Sequence, residues 1–300
     1  MRIAITGATG MVGQACTERF VSRGDEVVSL ARKFGGRMAT AKARIGTWFT
    51  DYSADDLRRA LRGIDAIVHL GGMRPSPQAD AEGYTPYFDA NVRSTENLLR
   101  AAIDEGVKTF CLASSISVYS LENDVPYREK QRPCPASFYG ASKLSCEHLA
   151  GLYARQDTLR WVSLRMARIL GHDETQREAM LMRFMALARN KQKLVLWGSG
   201  SGARDTVYIR DVVSAFERAL DQGSASGVFN IGGGRAYSNR EIAETINEVF
   251  DNVGNLAVDA ARKEDTSVFY MDCSRAEAEL GWRRQWDVRE GLEDMQGQCP

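Results

Sequence analysis

The sequence predicts an α/β fold, a doubly wound parallel sheet with a smaller C-terminal substrate-binding region, and three observations lead there. Short β-rich runs alternate with amphipathic stretches through the first half, the pattern of βαβ units. Several of these runs are apolar throughout, as strands covered on both faces must be. A glycine-rich turn separates the first run from the first amphipathic stretch. At 300 residues the chain can form one large domain or two smaller ones around a real core.

Strands are expected at 2–6, 26–31, 45–49, 66–70, 109–113 and 161–164. The clearest helix spans 91–103, where Val92, Leu98, Leu99, Ala102 and Ile103 make an apolar stripe and Gly106 follows as a stop. After about Gly171 the alternation loosens into a Met-rich helical stretch at 179–188, a Gly-Ser run at 198–202 that reads as a binding loop or turn, and mixed short elements. Met180, Met182 and Met185 read as core. The expected division is a dinucleotide-binding domain over 1–170 with a return segment at about 206–232, and a substrate-binding region from 171–205 and 233–300.

Composition narrows the function. The 39 Lys and Arg balance 39 Asp and Glu, so no basic excess calls for nucleic acid or an anionic membrane surface. Hydrophobic content of 44% and charged content of 26% are those of a globular protein. No apolar run approaches the roughly 18 residues of a membrane helix, no leader pattern opens the chain, and a cytoplasmic location is expected. Cys16, Cys111, Cys134, Cys146, Cys273 and Cys299 are scattered without a C-x-x-C, and His69, His148 and His172 are far apart. A reduced compartment and no metal are expected.

The run Gly7-Ala8-Thr9-Gly10-Met11-Val12-Gly13 follows the first strand and opens a helix, so its glycines let the backbone turn tightly and approach a pyrophosphate at the helix N-terminus. This is the arrangement of a Rossmann-type dinucleotide site. The second strand runs into Ala31-Arg32-Lys33 where an acid would hold a free ribose 2′-hydroxyl. A small residue and a guanidinium there favour NADP over NAD. Asp51 is a candidate for the adenine amino group, and Leu70, Gly71 and Gly72 let the backbone approach the cofactor. Tyr139 and Lys143 stand four apart, on one helical face. A phenol of pKa about 10 is a poor base at neutral pH, and a nearby cation stabilises its phenolate. Ser114 and Ser115 end the preceding strand at the sheet edge where ligands collect, placed to hold a substrate oxygen or to cap the turn.

In order and spacing, these segments with Asn91-Val92, Ser115-Ile116-Ser117-Val118-Tyr119 and Leu164-Arg165 resemble the extended short-chain dehydrogenase/reductases, the NAD-dependent epimerase/dehydratase family. Trp197-Gly198-Ser199-Gly200, the run from Arg204 to Val212, Val228 to Gly234 and Asp272 to Trp282 look like members acting on nucleotide sugars. The resemblance implies that Tyr139 is the acid/base, that Lys143 binds the nicotinamide ribose and lowers the tyrosine pKa, and that Ser115 orients the sugar oxygen. Asn91 joins the implied cofactor-binding residues. Arg204 and Arg262 match arginines that hold a diphosphate, a role suited to the guanidinium fork; Arg74, Ser115 and Arg168 complete the implied substrate-binding set.

Three departures matter. Dehydratases of the family carry Asp-Glu where this chain has Ile116-Ser117, which argues against dehydration. Arg168 stands where many epimerases have Asn, and would meet a carboxylate or phosphate. Ala31-Arg32-Lys33 departs from the NAD-type members. The leading expectation is an NAD(P)-dependent epimerase acting on a nucleotide sugar. The alternative is a net NADP-dependent ketoreductase or dehydrogenase of a sugar. A cofactor-sensing protein without chemistry is disfavoured by the intact Ser115, Tyr139 and Lys143. A homodimer is left open.

Overall fold

The computed structural model describes residues 1–32, 44–156, 159–172 and 180–297. Among them, seven strands form the main sheet: β1 (Arg2–Thr6), β2 (Glu26–Arg32), β3 (Ile45–Thr50), β4 (Ala66–His69), β5 (Thr109–Ser115), β6 (Arg160–Met166) and β10 (Gly227–Ile231). Their spatial order is β10-β6-β5-β4-β1-β2-β3, with every ladder parallel. The alternation of strand side chains divides the core. Ile3 and Ile5 of β1 join Cys16, Phe20 and Phe216 on one face, while Ala4 joins Leu57, Leu98 and Leu99 on the other. Each fully buried large apolar side chain contributes about 1.5–3 kcal/mol. The doubly wound sheet expected from the sequence is therefore present, with helices on both faces.

The strands expected at 109–113 and 161–164 both run longer, to Ser115 and to Met166. Ser114, Ser115 and Arg165 among their extra residues are polar, which breaks the apolar pattern there. Glu147, on the helix Phe138–Gln156, meets them: Arg165 Nη2 donates to it at 2.6 Å and Ser114 Oγ at 2.5 Å, all inside the core. Arg165 Nη1 reaches Tyr119 Oη at 2.7 Å, and Tyr119 reaches Asn230 of β10 at 2.9 Å. The helix expected at 91–103 begins as a π turn, Phe88–Arg93, before the α-helix Ser94–Asp104. Ser94 and Thr95 hydroxyls donate back to the carbonyls of Ala90 and Asn91 at 2.6 Å each, competing with the α ladder there.

The remaining strands are short. β7 (Arg168–Leu170), β9 (Ala203–Tyr208), β11 (Ala236–Ser238) and β13 (Val268–Phe269) make a small sheet centred on β9, and β8 (Leu194–Trp197) pairs with β12 (Leu256–Asp259). They share a core of Phe184, Met185, Tyr237, Ile242 and Leu292 with the helices Met180–Arg189, Asn239–Val249 and Val288–Gly297. Among the described residues no helix is long and apolar enough to cross a membrane.

His69 closes β4 in the core, with Nδ1 2.6 Å from Thr6 Oγ1 and Nε2 2.9 Å from Thr95 Oγ1. Thr95 gives its own proton to the Asn91 carbonyl, so His69 donates from Nε2 and accepts at Nδ1. Burial, reinforced by the Lys143 charge, lowers its pKa to about 3. The unfolded chain, with an ordinary histidine, takes up the proton first as pH falls, so stability present above pH 6.5 is lost below it. Relative to His69→Gln, the wild-type protein should lose about 2 kcal/mol between pH 6.5 and pH 5 in denaturant titrations; parallel pH profiles for the two proteins would refute this.

Candidate active site

The strand order reverses between β1 and β4, and ligands of open α/β sheets gather beyond the carboxyl ends of the strands at such a point. Both strands run into glycine turns. Gly7 turns at φ +68°, and the Gly10 N–H donates to its carbonyl at 3.0 Å. A Cβ on Gly13 would stand 2.1 Å from the Gly7 oxygen, and one on Gly7 would stand 2.8 Å from the Gly71 nitrogen. Only glycine lets the helix Met11–Arg23 begin against both turns. That helix has no side-chain cap and no acid in its first turn, which leaves its N–H groups and positive dipole end for an anion.

A cavity of about 530 Å³ extends from Gly7 and Thr9 past Ser29 and Arg32 to Tyr52. Another of about 410 Å³ runs from Gly10, Met11, Val12 and Gly13 past Leu70 and Arg74 to Tyr139 and Lys143. Gly7, Thr9, Gly71, Gly72 and Met73 line both, so they are halves of one trough with the helix N-terminus near its middle. A dinucleotide has that shape, a nucleoside on either side of a pyrophosphate, and the uncapped glycine cradle fits it.

At the first end, the Arg32 guanidinium lies 5.6 Å from the Tyr52 ring centre. Lys33 lies outside the described residues. The Asp51 carboxylate accepts the Ser53 N–H at 2.9 Å, and the cavity wall beside it is made by Phe49 and Tyr52, which sequence reasoning missed. Asn91 stands behind the trough: Oδ1 accepts the Met73 N–H at 2.6 Å and Nδ2 donates to Ser142 Oγ at 2.9 Å, tying the turn after β4 to the helix Phe138–Gln156.

At the second end, a Cβ on Gly140 would stand 2.1 Å from the Ser117 carbonyl oxygen, so glycine lets this helix start against the turn after β5. Tyr139 thereby sits half-buried at the trough's end. The buried Lys143 lies one turn on, its Nζ donating to the Ala113 carbonyl at 2.9 Å and standing 5.9 Å from the Tyr139 ring centre. The adjacent serines separate by strand alternation. Ser114 points into the core at Glu147, whereas Ser115 is half-buried and caps the turn, its Oγ accepting the Ser117 N–H at 3.2 Å.

A third cavity, about 380 Å³, is lined by Arg168, Arg183, Trp197, Arg204 and Lys263 among others. Arg204 lies 4.4 Å from the Phe269 ring centre and donates to the Ser267 carbonyl and the Asp265 carboxylate. Arg262 stacks on Trp197 at 4.8 Å and faces Asp259 at 3.6 Å. Glu264 organises the Gly-Ser run, accepting from Gly200 N–H at 3.0 Å and Gly202 N–H at 2.9 Å. Sequence reasoning missed Arg183 and Lys263; a cation within the Met-rich stretch was the available signal for Arg183. Met185 is core as expected, and Met180 and Met182 are partly buried against that core, Met180 also bordering the cavity. Met166 and Ile169 line the Tyr139 end of the trough and Arg168 the third cavity, so one short segment borders both.

The model of the NAD dependent epimerase/dehydratase family matches residues 3–232. The chain is 27% identical to the UDP-glucose 4-epimerase of Erwinia amylovora, over 98% of this chain and 95% of that protein. The crystal structure of UDP-N-acetylglucosamine 4-epimerase from Bacillus cereus superposes with a TM-score of 0.87 at 33% identity, covering 98% of each chain. That of the Bacillus cereus UDP-glucuronic acid 4-epimerase, with UDP-glucuronic acid and NAD, superposes with a TM-score of 0.84 at 25% identity, covering 98% of this chain and 97% of that one. A match of this extent, on a sheet that reverses beside a glycine cradle, leads to one conclusion: the chain belongs to the NAD dependent epimerase/dehydratase family.

Proposed function

We propose that this protein is a nucleotide-sugar epimerase that inverts a secondary alcohol carbon through transient oxidation. The observation that carries the reading is the segment 166–169, which joins a dinucleotide trough ending in Tyr139 and Lys143 to a cationic, aromatic-edged cavity. A ligand with its sugar at the first and its diphosphate and base in the second would use both. The names of the relatives, epimerases of UDP sugars, support that substrate class. We assign residues 1–170, with a return segment at about 206–232, to a dinucleotide-binding domain, and 171–205 and 233–300 to a smaller substrate-binding region.

Bound nicotinamide would supply hydride chemistry at the sugar carbon. The proton movements fall to this chain. Tyr139, as its phenolate, would take the proton of the sugar hydroxyl as that carbon is oxidised, and as the phenol would give it back when the carbon is reduced. Lys143, held by the Ala113 carbonyl, keeps its cation beside that ring and would bind the nicotinamide ribose. The Ser115 hydroxyl can turn its hydrogen from Ser117 to the sugar oxygen. Arg204 would exchange Asp265 for a phosphate, with Arg262 and Arg74 at either end of the ligand. Ile116 and Ser117 supply no carboxylate to expel a hydroxyl, which disfavours dehydration.

At the adenosine end, Arg32 replaces an acid and lines the cavity, which supports NADP over NAD. The same residue favours a second reading, net reduction of a keto sugar, since NADP-type sites serve redox turnover.

Tyr139→Phe should lower kcat by about 10² to 10⁴ while cofactor affinity stays within twofold, because the hydroxyl is lost and the ring remains. Wild-type turnover in that variant would end the assignment. Arg32→Ala should weaken NADP roughly tenfold and leave NAD unchanged in calorimetry; equal affinities of the wild-type protein for the two would remove the preference. Epimerisation itself is tested by stoichiometry on a panel of UDP and dTDP sugars. One enzyme-bound cofactor should support many turnovers without net change in reduced-cofactor absorbance, whereas one cofactor consumed per product would establish the ketoreductase.

A further inference from the structure

Two arginines, three residues apart where β6 passes into β7, are treated in opposite ways. Arg165 is buried and fully met: Glu147 takes Nε and Nη2, Tyr119 takes Nη1, and against the cost of burial the pair holds its pKa above the ordinary value. Arg168 is half-buried, and Thr206 Oγ1 is its hydrogen-bond partner, accepting from Nε at 3.1 Å and Nη2 at 2.9 Å. Among the described residues Nη1 has no acceptor, and no carboxylate pairs with Arg168. Burial, and then the like charge of Arg204, lowers its pKa to about 10. Asp205, the acid among the described residues that acts on it, already accepts the Gly233 and Met271 N–H groups at 2.6 and 3.0 Å.

A guanidinium held in this way is costly unless an anion completes it. Its place says which part of a ligand would do so. Arg168 borders the third cavity, while its neighbour Ile169 borders the trough beside Tyr139. Arg204, two residues from Thr206 on the same face of β9, lies further out and is neutralised by Asp265. Of the third cavity's cations, Arg168 is therefore the one whose chain neighbours Met166 and Ile169 line the trough, and among the described residues no carboxylate pairs with it.

We infer that Arg168 is a specificity-determining residue that binds an anionic group of the substrate next to the reacting sugar, either the sugar-linked phosphate or a carboxylate on the sugar. The inference rests on the nucleotide-sugar reading. A neutral amide there would bind the same oxygens without charge, so the arginine selects ligands that bring charge to that point.

The test compares Arg168→Asn, Arg168→Lys and Thr206→Val with the wild-type protein. UDP binding is measured by calorimetry, and kcat and KM with UDP-glucose and UDP-glucuronic acid. If the anion is the phosphate, Arg168→Asn weakens UDP and both substrates roughly ten- to hundredfold. If it is the carboxylate, UDP affinity holds while kcat/KM for UDP-glucuronic acid falls by that factor relative to UDP-glucose. In either case Arg168→Lys recovers part of the loss, and Thr206→Val, which removes the protein contact but keeps the cation, costs far less. UDP affinity and substrate ratio both within twofold in Arg168→Asn would overturn the inference, as would equal losses in Arg168→Asn and Thr206→Val. Turnover of neither sugar by the wild-type protein would count against the epimerase reading, while the UDP measurement would still decide for or against the phosphate contact.

Discussion

Everything in this protein is arranged around a backbone-to-backbone approach at the point where the strand order reverses. Gly7, Gly13 and Gly71 bring the ends of β1 and β4 and the start of a helix within distances that a single Cβ would forbid. The consequence is electrostatic as much as steric. An uncapped helix end lies open at the middle of a trough, so the partial positive charge of its N–H groups is available to a bound anion. Thr6 fixes the geometry from below, its hydroxyl accepting the Gly71 N–H at 2.9 Å while engaging His69.

The edge that carries Tyr139 and Lys143 stands on a buried ion pair. Arg165 and Glu147 join β6 to the helix that carries Tyr139 and Lys143, and Ser114 and Tyr119 satisfy their remaining atoms. Replacing such a pair by apolar residues is often neutral or stabilising, so its value need not be stability. Its geometry offers another: a bidentate guanidinium and a short serine contact hold the end of β5, and with it Ser115, in one register against the helix.

The chain is electrically neutral, yet its cations are not evenly spread. Arg168, Arg183, Arg204 and Lys263 converge on one cavity, and the acids beside them are occupied: Glu264 by the Gly-Ser run, Asp265 by Arg204 and Ser267. Net charge, which offers no reason to expect nucleic acid, was silent about this local field because it sums over the whole surface.

By itself, the sequence determined the elements whose cause is local. Short β-rich runs marked six of the seven strands of the main sheet, β10 being the exception, the glycine spacing marked the cradle, and the interval from Tyr139 to Lys143 marked one helical face, because period and turn chemistry act over a few residues. Only the tertiary structure decided that Ser114 faces the core while Ser115 faces outward, that Arg165 is neutralised while Arg168 meets no carboxylate among the described residues, and that Arg183 and Lys263 meet at one cavity. Those outcomes follow from sheet register, where a shift of one residue reverses the face a side chain occupies, and from contacts between residues far apart in the chain, as between Arg204 and Asp265.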